Sequence, residues 1–120
     1  MRSSLRITLT FWSLMAGSGA SGHAFFDHAD PPVGGTVHST PARVEVWFSQ
    51  DLEPAFSTLK VFDGAGKQVD KMDKSVPERN GARMAVSLPP LAPGRYRVVW
   101  RALSADTHVT EGDFTFELSP

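Results

Sequence analysis

Arg95-Tyr96-Arg97-Val98-Val99-Trp100-Arg101 decides the fold. Tyr96, Val98 and Trp100 share one parity, while Arg95, Arg97 and Arg101 take the other. Side chains along a strand alternate between faces, so this is a strand with an apolar side to bury and a charged side for solvent. The same period of two recurs along the chain. Val44, Val46 and Phe48 align in Arg43–Phe48, Leu59 and Val61 in Ser57–Asp63, and Met84, Val86 and Leu88 in Arg83–Leu88. Phe114, Phe116 and Leu118 align in Asp113–Leu118 against Asp113, Thr115 and Glu117. Five strands buried on one side follow, with a sixth over Ala24–Ala29 and a seventh near Val37.

The breaks between these stretches carry turn chemistry. Pro31-Pro32-Val33-Gly34-Gly35, Asp63-Gly64-Ala65-Gly66 and Pro89–Gly94 supply preset or positive φ angles, and Asn80-Gly81 is a short-range hairpin signal. No amphipathic helical stretch, repeat or linker interrupts the pattern. The expected architecture is a single all-β domain, an Ig-like Greek-key sandwich or barrel of about seven strands. Most of its aromatics, Trp47, Phe48, Phe56, Phe62, Tyr96, Trp100, Phe114 and Phe116 among them, are expected to fill the core.

The first 22 of the 120 residues read differently. Arg2 and Arg6 precede a mostly apolar Ile7–Met15, and Ala16–Gly22 are small without exception. This is the layout of a secretory signal peptide, with an apolar run too short to span a bilayer. Ala20-Ser21-Gly22 places the expected cut directly before His23, leaving residues 23–120 as a secreted mature chain. The mature charge is then −3, from 10 basic and 13 acidic residues. No basic cluster remains to hold nucleic acid. With no cysteine in the chain, a thiol nucleophile, a cysteine zinc site and a blue-copper site are excluded. No nucleophile elbow, metalloprotease helix or phosphate loop is present, so nothing demands an enzyme.

An N-terminal His23 is a chelator in one residue, because its α-amine and ring Nδ1 can close on the same metal. The alternative is an ordinary surface histidine near a frayed terminus. Asp106-Thr107-His108 is the complementary feature. If extended, it points a carboxylate and an imidazole the same way. The other readings are a carboxylate that orients a histidine, or two unrelated loop residues. Together, amine and imidazole from His23, imidazole from His108 and carboxylate from Asp106 make an N,N,N,O set suited to Cu(II).

The mature chain resembles the CopC-type periplasmic copper-binding proteins. The matching stretches are His23-Ala24, Pro31–Gly35, Val44–Ser49, Leu91–Trp100 and Ser104–Phe116. The last follows the family's S-x-D-x-H-x-x-x-G-x-x-x-F signature. The resemblance implies a Greek-key β-barrel over 23–120 that binds one Cu(II) through an N-terminal histidine brace, with His23, Asp106 and His108 as ligands. It also implies a role in copper handling or resistance, sometimes beside an inner-membrane importer of the CopD type. Some members carry a methionine-rich Cu(I) site. Here only Met72 and Met84 remain after processing, so none is expected. His28 and His38 are open ligands, and Glu111 is a candidate acceptor for a ligand's ring N–H. Two other functions compete: an Ig-like adhesion or assembly module with incidental histidines, and a small histidine-brace copper oxygenase.

Overall fold

The computed structural model describes residues 24–120; the leader over 1–22, its cleavage and His23 lie outside them. Seven strands form among the described residues: β1 (Phe26–Asp30), β2 (Thr36–Val37), β3 (Arg43–Phe48), β4 (Thr58–Phe62), β5 (Arg83–Ser87), β6 (Gly94–Leu103) and β7 (Val109–Leu118). They pack as two sheets in the orders β1-β3-β5 and β2-β7-β6-β4, all antiparallel except the short β2–β7 pairing. A single 3₁₀ turn at Pro54–Phe56 precedes β4.

The apolar parities all face inward. Val44, Val46, Phe48, Leu59, Val61, Met84, Val86, Leu88, Tyr96, Val98, Trp100, Phe114, Phe116 and Leu118 are buried. At the centre of one end, Trp100 stacks on Phe26 with 5.9 Å between ring centroids and meets Phe48 edge-on at 5.1 Å. The expected aromatic core needs correction in three places. Phe62 is half-buried on the face of β4 opposite inward Leu59 and Val61. Phe56 stands 63% exposed on the 3₁₀ turn. Trp47 faces outward and stacks on His28, because Val46 and Phe48 on either side of it claim the inner face.

The outer face of β6 and β7 is a ladder of ion pairs. Arg97 reaches Asp113 at 2.8 Å, Arg101 reaches Glu111 at 3.2 Å and Arg95 lies 3.8 Å from Glu117. Such exposed pairs are worth about 0–1 kcal/mol each, so they fix solubility and register more than stability. Tyr96 at the start of β6 donates its hydroxyl to the Ala92 carbonyl, pinning the Pro93-Gly94 corner from which the strand departs.

The turns divide. Asp63–Gly66 makes the expected hairpin: Gly66 takes φ +84° and donates to the Asp63 carbonyl at 3.0 Å. Asn80-Gly81 sits in a wider turn that folds the chain back antiparallel, Ser75 and Ala85 exchanging N–H to carbonyl bonds at 2.9 Å across it, and positive φ is found at neither residue. The Asn80 side chain instead accepts the Ala82 N–H at 3.2 Å, while Gly81 and Ala82 offer their carbonyls to Leu52 and Phe48. That segment leads into β5, whose partner is β3.

Two differences in strand length place the candidate site. β6 and β7 each run ten residues, paired from Gly94–Leu118 to Leu103–Val109. The alternation in β7 is legible only from Asp113, since the inward positions before it are Thr110 and Gly112. Gly112 sits opposite Trp100, whose indole occupies the space a side chain would need.

Candidate metal centre

The loop from Ser104 to His108 caps the β6–β7 hairpin. Its framework is main-chain: the Ser104 N–H donates to the His108 carbonyl at 2.9 Å and the Thr107 N–H to the Ser104 carbonyl at 2.8 Å. The neighbouring segment braces it from outside the hairpin. Ala105 donates to the Asp51 carbonyl at 3.0 Å, Glu53 donates to the Leu103 carbonyl at 2.8 Å, and Leu52 bridges Ser104.

Asp106 and His108 are therefore not on an extended segment, the condition under which their spacing would point them the same way. Thr107 between them takes φ +71°, a left-handed conformation that costs an L-residue roughly 1–2 kcal/mol. Its hydroxyl bonds the Asp106 carbonyl. The tight turn, rather than strand alternation, brings the two side chains together, with Asp106 Oδ1 3.3 Å from His108 Nδ1. Both side chains reach solvent, at 38% and 55% exposure. A carboxylate and an imidazole lie side by side at the tip of the β6–β7 hairpin.

Ser104 organises the pair, a role that its place in the signature does not disclose. Fully buried, it directs its hydroxyl at Asp106 Oδ1 and accepts the His108 N–H at 3.2 Å. The Ser104 hydroxyl, and after it the His108 ring, hold the Asp106 carboxyl below the usual carboxylate range. A lowered folded-state pKa contributes stability above the ordinary carboxylate value, lost as pH falls through the folded one. In metal-free protein, Ser104→Ala should raise the Asp106 titration midpoint toward the ordinary carboxylate range, read from its carboxyl carbon by NMR. An unmoved midpoint would show that the hydroxyl does not hold the carboxylate.

The described chain begins beside this loop. Ala24 is fully buried, and Thr110, two residues past His108, donates its hydroxyl to the Ala24 carbonyl at 2.7 Å. Phe25 and Ser49 exchange two further bonds, Phe25 N–H to Ser49 Oγ and Ser49 N–H to the Phe25 carbonyl, both at 2.9 Å. His23 itself lies outside the described residues. Among the described residues, no three His, Asp or Glu side chains converge on one point.

The other open ligands go elsewhere. His38 Nδ1 bonds the Ser119 carbonyl at 2.7 Å, at the end of the hairpin opposite the loop, ~30 Å away at the usual strand rise. His28 follows a bulge at Asp27, stacks on Trp47 at 4.4 Å and holds Asp27 Oδ2 at 2.7 Å. Glu111 is engaged by Arg101 on the outer face. Met84 is fully buried in the core and Met72 stands 73% exposed.

A family model described as the CopC domain matches residues 26–119. The chain belongs to the CopC family. This CopC domain is 34% identical over 93 residues to Copper resistance protein C of Pseudomonas syringae pv. tomato, covering 72% of this chain and 74% of that one. It is 32% identical over 97 residues to Copper transport protein CutJ of Bacillus subtilis, covering 80% of this chain but spanning only 18% of that protein's length. Among solved structures, CopC from Methylosinus trichosporium OB3b superposes with a TM-score of 0.77 at 31% identity, covering 82% of this chain and 95% of that one. PcoC, a methionine-rich copper resistance protein from Escherichia coli, gives 0.70 at 28% identity, over 81% and 99%.

Proposed function

We propose that this chain is a periplasmic Cu(II)-binding protein that sequesters or delivers copper, without turnover. One Cu(II) is its cargo, held by the amine and ring nitrogen of His23, the Asp106 carboxylate and the His108 imidazole. The observation that carries the reading is the meeting of two chain segments at the hairpin tip. Asp106 and His108 present oxygen and nitrogen from the loop, and Thr110 ties Ala24 beside it. The proposed N-terminal ligand is the residue covalently joined to Ala24, whose carbonyl Thr110 holds.

The donor chemistry fits the metal. Cu(II) heads the Irving–Williams order and suits tetragonal nitrogen–oxygen sites, whereas Cu(I) prefers sulfur. The relatives named for copper resistance and copper transport support copper over other divalent ions. Residues 1–22 act as the export signal, their removal freeing the His23 amine, and a CopD-type inner-membrane protein is the proposed recipient where copper is imported.

Titrating the mature protein with Cu(II) against a competing chelator tests the reading. One equivalent bound per folded chain is expected, and a folded chain that takes up none would contradict it.

A further inference from the structure

The inner row of β7 reads Thr110, Gly112, Phe114, Phe116, Leu118, and Thr110 is its one hydroxyl. A polar group on an inward face is costly unless it is hydrogen-bonded. Here it meets the carbonyl of fully buried Ala24 at 2.7 Å, across 86 residues of sequence. Thr110 lies opposite Ala102 in the β6–β7 ladder, one rung inside the Leu103–Val109 pair that opens the Ser104–His108 loop. The bond thus ties the start of the domain to the strand that carries the loop.

We propose that Thr110 is a positioning residue for copper: its hydroxyl holds the chain at Ala24 so that the N-terminal nitrogens meet the metal already seated by Asp106 and His108. The assignment rests on the copper reading above. Tethering converts the second half of binding into an intramolecular step, with an effective concentration set by how closely the two parts are held. Without the hydroxyl, Ala24 would be held by its burial in the core and by the Phe25–Ser49 bonds beyond it.

The test compares Thr110→Val, which keeps the branched shape, with Thr110→Ser, which keeps the hydroxyl. Each is made in the mature protein beginning at His23 and in a form with one extra residue ahead of it. Valine should weaken Cu(II) binding about three- to tenfold in the first background, the range of one lost hydrogen bond, with serine restoring it. In the extended background, where of His23 only the ring can still ligate, valine should weaken the residual affinity by less. In metal-free protein, exchange of the Phe25 amide should quicken with valine and not with serine. If Thr110→Val does not fold, Thr110→Ala makes the same comparison. Unchanged affinity with valine, or equal weakening in both backgrounds, would overturn the assignment alone. A wild-type chain that binds no Cu(II) would overturn the copper reading and this assignment with it.

Discussion

Gly112→Ala is expected to destabilise the domain by about 3 kcal/mol, at the upper end of what overpacking a core costs. The added Cβ would lie 2.5 Å from Cζ2 of Trp100, 2.9 Å from Cε2 and 3.1 Å from Nε1. Relief requires the indole to move, and Phe26 and Phe48 hold it on two sides. Urea denaturation measures the loss. Repeating the substitution in a Trp100→Phe background separates this cause from a loss of glycine's backbone freedom. The smaller ring should leave room, so the alanine should then cost under about 1 kcal/mol. An equal cost in both backgrounds would show that the indole is not what demands glycine. The glycine of the signature is, on this account, a packing residue for the aromatic layer below the loop and not a metal-site residue.

His108→Ala should have the larger effect on copper and almost none on folding. It removes a proposed ligand, so the loss should exceed the 10–100-fold typical of residues that only support one. A fall of at least about a hundredfold in Cu(II) affinity is expected. The loop should survive, because its bonds through the residue 108 main chain to Ser104 do not need the ring. The ring is more than half exposed, and substitutions at such positions usually stay within about 0.5 kcal/mol. Competitive Cu(II) titration and thermal unfolding of the metal-free variant check the two halves. Wild-type affinity in the variant would remove His108 from the proposed ligand set.

The fold was legible wherever the core is built from large apolar side chains at period two. Val44, Val46 and Phe48, or Tyr96, Val98 and Trp100, announce both the strand and its buried face. Periodicity fails where the inner face is not filled by apolar bulk. β7 begins four residues before its alternation does, because Thr110 spends its inward place on Ala24 and Gly112 yields its own to Trp100. Trp47 and Phe56 mislead in the opposite sense, being large aromatics that the register and the 3₁₀ turn leave outside.

The candidate site divides along a similar line. The residue types of Asp106 and His108 suggest the proposed chemistry, a carboxylate and an imidazole being donors that suit a borderline divalent metal. Their geometry was not legible. The spacing of two suggests a strand, but the pair meets through the positive φ of Thr107 and the hydroxyl of buried Ser104. No rule of alternation encodes that turn. The serine two residues before an aspartate is its only local signal. Thr110 left a fainter one, a hydroxyl standing in an apolar row.

In the proposed site the N-terminus of the mature chain supplies ligands beside Asp106 and His108. The most direct measurement is the Cu(II) EPR spectrum of the exported protein, its start fixed by intact mass, beside a form carrying one extra residue ahead of His23. A mass beginning at His23 is predicted, together with a one-to-one tetragonal, nitrogen-rich signal that changes when the extension displaces the amine. A mature start at another residue, or a spectrum indifferent to the extension, would contradict the account.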